Sequence, residues 1–165
     1  MDYKYFEDEQ EDVEETRSFL QFLVLNKRFA IPIEEVVEIA SMDNIRPVPE
    51  FPDYVLGVSN VKGRNVAVID ARKRFKCPEE EKSPRQCLII AKVERHEKDS
   101  EIGILVDDVT KFKELKLSEI LPPPDVNNEA VTRYILNTYF STAGEACFIV
   151  SPQLMMSLEE QDLIF

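Results

Sequence analysis

Short β-branched and aromatic runs recur along this chain at intervals of roughly 8–15 residues, each closed by a turn signal. No other feature restricts the fold as strongly. Runs of that length suit strands, and helical spacing is sustained almost nowhere. FLQFLVL (19–25) reads as a strand closed at Asn26-Lys27, and RFAIPI (28–33) returns beside it as a hairpin. YVLGVSNV (54–61) and NVAVID (65–70) flank Lys62-Gly63-Arg64, where Gly63 supplies a turn with positive φ. QCLIIAKV (86–93) is a buried strand and ERHEKDS (94–100) a charged hairpin connection. EIGILVDDV (101–109) is the partner strand, and FKELKL (112–117) continues it. TRYILNTYF (132–140) and EACFIV (145–150) are strands around Thr142-Ala143-Gly144.

The remaining segments read differently. EEVVEI (34–39) fits a strand or a helical turn equally well. RPVPEFP (46–52) carries three prolines and is barred from a regular ladder. ARKRF (71–75) resembles one helical turn, and KCPEEEKSPR (76–85) is a solvated loop. LPPPDVNNE (121–129) favours extended polyproline II backbone. SPQLMMSLEEQDL (151–163) opens with Ser-Pro, a helix start, and sets Leu154 and Leu158 on one face. Many short strands with little helix specify an all-β barrel or a pair of small barrels. There is no βαβ alternation and no repeat visible in the letters.

At 165 residues the chain suits one domain, or two small ones sharing a core. Its formal net charge is −12, from 32 acidic and 20 basic residues. Residues 1–18 hold half of that imbalance and read as an acidic, disordered tail. An acidic body repels phosphate backbones and anionic lipid, so nucleic-acid binding and membrane insertion are not expected. No apolar run approaches a membrane span, and the N-terminus lacks the basic and apolar regions of a secretory signal. The three cysteines, Cys77, Cys87 and Cys147, show no CxxC spacing, which fits reduced thiols in a cytoplasmic compartment.

A search for chemistry returns no catalytic constellation. There is no GxSxG, P-loop or HExxH, and the four glycines stand too far apart for a dinucleotide loop. The single histidine, His96, lies in a charged turn. Asp107-Asp108 after a buried strand reads as a turn cap rather than a metal site. Neither a metal nor a cofactor is expected. A binding module is favoured over an enzyme. Val48, Phe51 and Tyr54, held in or beside the proline segment, serve either as partner anchors or as caps on a barrel end. Val36, Val37 and Ile39 are too many adjacent apolar side chains for one buried face.

YVLGVSNVKGRNVAVIDARKRF (54–75) resembles the signature of the CheW-like domain family, Y-x-x-G-V-x-N-x-R-G-x-x-x-P-V-x-D-L-R. The opening hairpin, RPVPEFP, EIGILVDDV, LPPP and the closing strands resemble that family in the same order, over about 19–160. The resemblance implies a single domain of two five-stranded SH3-like barrels sharing a core, with a short C-terminal helix and a terminal end at 161–165. It implies a non-enzymatic adaptor of chemotaxis. Such an adaptor couples the cytoplasmic tips of methyl-accepting chemoreceptors to the regulatory domain of the histidine kinase CheA, in cytoplasmic arrays at the membrane. A scaffold that fills or competes in such arrays without kinase coupling is the alternative.

Carried over residue by residue, the receptor groove between the barrels involves Val36, Glu38, Ile39, Lys62 and Leu88. The kinase-facing edge involves Ile45, Val48 and Phe51, and Gly57, Asn60, Gly63, Asp70 and Arg72 fall on the signature. The chain departs from the pattern at Lys62, where the family has Arg, and at Ala67, Ala71, Asn137 and Ser151.

Overall fold

Alternation of apolar side chains determines how the strands are used. The computed structural model describes residues 14–124 and 132–156, and within them ten strands form two five-stranded sheets. The strands are β1 (Thr16–Val24), β2 (Lys27–Pro32), β3 (Val36–Ala40), β4 (Val55–Val61), β5 (Arg64–Asp70), β6 (Cys87–Arg95), β7 (Lys98–Val106), β8 (Asp108–Lys116), β9 (Ile135–Phe140) and β10 (Ala146–Val150). One α-helical turn, α1 (Ala71–Arg74), follows β5. The first sheet has the order β8-β1-β2-β10-β9 and the second β3-β6-β7-β5-β4. Among the described residues no helix is long and apolar enough to cross a membrane.

Raising each strand number of the second sheet by five, with β1 following β10, gives the first sheet. The correspondence extends to the parallel pairs, β5 with β7 and β10 with β2. It extends also to closure. After edge strand β3 the chain bends, and Arg46 bridges Val58 on the opposite edge strand β4. After edge strand β8 it bends, and Leu121 bridges Thr138 on β9. The expected pair of SH3-like units is therefore present as two curled sheets, each closed by one bridge rather than a complete ladder. The repeat is topological and left no trace in the letters. The hairpin β1–β2 joins the sheet completed by β8–β10, so the two units are interlocked.

Each unit has its own interior and shares a third. On β6, Leu88 and Ile90 face the interior of the second sheet, while Ile89, Ala91 and Val93 face the shared core. On β1, Phe19 faces the interior of the first sheet, while Leu20, Phe22 and Val24 face the shared core. Strands buried on both faces read as continuous apolar runs, as 86–93 does. In the shared core Phe29 stacks on Phe75 at 4.8 Å and on Phe22 at 5.8 Å. Each such fully buried ring stabilises the fold by roughly 2–3 kcal/mol.

Several expectations are corrected here. EEVVEI is neither one helix nor one strand: Ile33–Glu35 form a 3-10 turn and Val36 starts β3. FKELKL does not continue β7. The chain changes sheets at Asp107, and FKELKL lies in β8 of the first sheet. The first strand begins at Thr16, so residues 16–18 belong to it rather than to a tail. Residues 1–13, and the part of the expected terminal helix beyond Met156, lie outside the described residues; within them Gln153–Met155 form a 3-10 turn.

Gly57 marks the closure of the second sheet. Its φ is +147°, and a Cβ built on it would stand 2.0 Å from the Arg46 carbonyl oxygen. Gly57→Ala is therefore expected to lower unfolding stability by about 3 kcal/mol in urea titration. A loss below 1 kcal/mol would show that segment 46–47 yields and that the closure is not tight.

Candidate functional site

The hairpin tip between β4 and β5 builds one part of the site. Lys62 and Gly63 have φ of 50° and 84°, the two-residue turn that matches strand twist. The Asn60 side-chain oxygen accepts a hydrogen bond from the Gly63 N–H at 3.0 Å and fixes that turn. Curling of the sheet brings this tip against β3, which lies at the other edge. Lys62 Nζ donates to Glu38 Oε2 at 3.1 Å. Arg64 Nη2 lies 3.9 Å from the same oxygen and 3.1 Å from Glu101 Oε1, the latter an ion contact without hydrogen-bond alignment. Beside this ladder Ile39 is 47% exposed, at a depression of about 350 Å³ lined also by Ala40, Asn60 and Val61.

The structure thus gathers Glu38, Ile39 and Lys62 at one place, with Asn60 and Gly63 shaping it. Val36 is half-buried against the shared core at the root of β3. Leu88 is a correction: it is fully buried in the interior of the second sheet and offers no side chain to a partner. Its neighbours along β6 alternate between two cores, and Leu88 falls on the inner face.

Ile45, Val48 and Phe51 lie on the irregular segment that closes the second sheet. Ile45 is half-buried against that sheet's interior, and Phe51 against the shared core. Val48 is half-buried and belongs to neither core. Ile45 and Phe51 therefore act as end caps, and Val48 is the side chain of the three least committed to packing.

Asp70 and Arg72 of the signature have a structural geometry. Asp70 caps α1, its Oδ1 accepting from the Arg72 N–H at 2.9 Å. The Arg72 guanidinium Nε donates to both oxygens of Asp107 at 2.8 and 3.0 Å, and its Nη1 donates to the carbonyls of Glu80 and Glu81. Asp107 also accepts from the Leu25 N–H, and its own N–H donates to the Leu23 carbonyl. Sequence reasoning saw Asp107 only as a turn cap. Its partner stands 35 positions away, and nothing local announces it. Arg74 next door lies over the rings of Tyr54 and Tyr134 at 4.0 and 5.0 Å and donates to the Met155 carbonyl.

A second apolar surface was missed. Leu117, Leu121, Leu136 and Phe140 are 39–54% exposed, and the last two flank Thr138, where Leu121 closes the first sheet. This surface is the topological counterpart of the Ile45–Phe51 segment. The only advance signal was the period-2 spacing of Leu136 and Phe140, which does not say which face is wet.

The remaining groups suit no reaction. Burial pushes the Cys77 and Cys87 thiols up, and Cys147 up to about 11, so all three are poor nucleophiles at neutral pH. His96 and Glu97 make the β6–β7 turn, with φ of 50° and 63°. Among the described residues no three His, Cys, Asp or Glu side chains are placed to share a metal ion.

The family model for the CheW-like domain matches residues 18–160 of this chain. The chemotaxis protein CheW of Helicobacter pylori is 34% identical over 118 residues, which is 70% of this chain and 68% of that protein. The CheW of Klebsiella aerogenes is 28% identical over 149 residues, covering 90% and 86%. The crystal structure of the scaffolding protein TtCheW from Thermoanaerobacter tengcongensis superposes with a TM-score of 0.77 at 22% identity, over 88% of this chain and 96% of that one.

Two predictions follow from the geometry. Arg72→Ala leaves the buried Asp107 carboxylate unpaired and is expected to cost about 3 kcal/mol of stability. In a double-mutant cycle with Asp107→Ala the pair should show a coupling above 1 kcal/mol, and additivity would contradict the contact. Glu35 is the second case. Burial, with Glu34 adding, raises its pKa, so the native state disfavours the charged form. Its native-state advantage is present at low pH and is lost as pH rises through the raised folded value. Glu35→Gln should therefore unfold at higher denaturant than the parent at pH 7 and match it at pH 3; no gain at pH 7 would contradict the burial.

Proposed function

Because the chain belongs to the CheW-like domain family, it is a non-enzymatic chemotaxis adaptor coupling receptors to a histidine kinase, and we propose which faces do this. The Glu38–Ile39–Lys62 face takes the cytoplasmic tip of a methyl-accepting chemoreceptor. The irregular edge at Ile45, Val48 and Phe51 takes the regulatory domain of the kinase CheA. The protein works in cytoplasmic arrays at the membrane that carries the receptors.

The observation that carries this reading is a pair of apolar side chains that the cores of the second sheet leave uncommitted, Ile39 on β3 and Val48 on the segment after it. The first face has an exposed aliphatic anchor, Ile39, ringed by ion pairs, which suits the apolar stripe of a receptor helix with charged flanks. The second face is a proline-stiffened segment whose backbone is fixed by the Arg46–Val58 bridge. The surface at Leu117, Leu121, Leu136 and Phe140 adds a further face on the first sheet, and a molecule with several faces can be a link in an array rather than an end. Small faces with exposed ion pairs suit roughly micromolar contacts strengthened by array avidity.

The test is calorimetric titration of variants against a receptor-tip fragment and the CheA regulatory domain. Ile39→Asp is expected to weaken receptor binding at least tenfold and leave the kinase affinity unchanged. Val48→Asp should do the reverse. Both proteins should melt within a few degrees of the parent, since neither side chain belongs to a core. If each substitution weakens both partners alike, or neither, the assignment of faces is wrong.

A further inference from the structure

We propose that the N-terminal segment of this chain, through Tyr3, Tyr5 and Phe6, docks on the exposed apolar face that Leu117, Leu121, Leu136 and Phe140 form on the first sheet, and so acts as that face's own cover. The proposal does not rest on the adaptor reading. Under that reading it adds that a partner of this face must first displace the segment. Closure of the first sheet builds the face. Leu121 and Thr138 exchange both backbone hydrogen bonds, at 2.8 and 3.1 Å, which makes them a directly opposed pair. Leu136 and Phe140 flank Thr138 on β9, within diagonal reach of Leu121. None of the four exposed side chains belongs to a core, and Phe140 is 54% exposed.

Three observations name the occupant. The first is where the segment joins the fold. The Glu15 carbonyl accepts from the Leu117 N–H at 3.1 Å, and Glu14 Oε1 accepts from the Ser118 N–H at 2.8 Å. These contacts carry the β1–β8 register, in which Thr16 pairs with Lys116, past the ends of both strands. Followed back from Thr16 to Glu14, the chain therefore runs beside 116–118 toward Leu121, and it reaches residue 13 at the rim of the apolar face. The second is length. Phe6 is joined to Glu14 by residues 7–13, and an extended chain covers that interval with about 26 Å of reach. From Leu136 to Phe140 β9 spans only about 13 Å. So short a tether sets an effective concentration on the order of millimolar, and a contact too weak to hold separate molecules suffices within one chain. The third is composition. A merely solvated tail is poor in aromatic residues, yet Tyr3, Tyr5 and Phe6 cluster here, and Glu7, Asp8, Glu9, Glu11 and Asp12 follow them. Lys113 and Lys116 at that end of β8, and Arg133 just before β9, make no ion pair with a described residue. Of the carboxylates among them, Glu119 is engaged with the Lys116 N–H and Glu114 lies between the two lysines. The acidic stretch thus crosses a mostly cationic rim, which orients it more than it holds it, and the aromatic side chains supply the apolar contact.

The chain has no tryptophan, so Phe6→Trp in the whole chain places a single fluorescent reporter in the segment. Its emission is expected to lie to the blue of the same protein unfolded in urea, and acrylamide should quench it severalfold less. Phe140→Asp, and separately Leu136→Asp, in that background should return emission and quenching to the solvent-exposed values. Both variants should melt within a few degrees of the parent, since neither side chain belongs to a core. Leu154→Asp and Phe112→Asp remove exposed apolar side chains elsewhere and should leave the signal unchanged. Serial dilution should leave it unchanged too, as a contact within one chain requires. The proposal is overturned if the reporter in the parent background is already solvent-exposed. It is overturned equally if Leu154→Asp or Phe112→Asp releases the reporter while Phe140→Asp and Leu136→Asp do not, which would place the segment on another surface. Emission that moves to the red on dilution would make the occupant a second copy of the chain and overturn it as well.

Discussion

The paired side chains of Arg72 and Asp107 connect everything else. Asp107 is the residue at which the chain leaves β7 in one sheet and enters β8 in the other. Its carboxylate engages the β1–β2 turn through Leu25, and the helical turn α1 through Arg72. Arg72 in turn holds the carbonyls of the 76–86 loop. A single ion pair with 15% and 9% side-chain exposure thus meets three elements that belong to different units. A buried pair of this kind is worth little against a hydrophobic substitute, and its loss by halves is costly because one charge stays buried. Its contribution is geometric: it sets where the two sheets meet, and the shared core of Phe22, Phe29 and Phe75 fills the space so defined.

That frame explains why the faces lie where they do. Glu38 and Lys62 come from strands at opposite edges of the second sheet, and they meet only because the sheet curls and Gly57 lets the Arg46 segment cross it. The surface that Glu38, Ile39 and Lys62 share is a product of closure, not of any one strand. The ion pairs that decorate it are exposed and individually weak. They confer orientation and charge preference more than affinity.

Much of this was legible in the letters. Strands appeared because each apolar run had the length and the bounding turn residues of a strand, and the hairpin at Lys62-Gly63 because glycine is required there. The family resemblance pointed to Glu38, Ile39 and Lys62, which the fold does bring together, along with Leu88, which it buries. The misses have separate origins. Leu88 entered as a position carried over from the resemblance, although its run reads as a buried strand, and it faces inward. FKELKL was joined to β7 because a run of strand length does not say which sheet it enters. Asp107 was read as local because its partner is distant in sequence. The topological repeat escaped notice for a related reason: strand order is specified by which residues are buried, not by recurring letters.

On the reading proposed above, one molecule holds receptor and kinase at the same time on different faces. Sedimentation velocity on an equimolar mixture of the protein, a receptor-tip fragment and the CheA regulatory domain tests it most directly. A complex containing all three is expected, with each partner's affinity unchanged when the other is saturating. Two separate binary complexes and no ternary species, with each partner displacing the other, would contradict it.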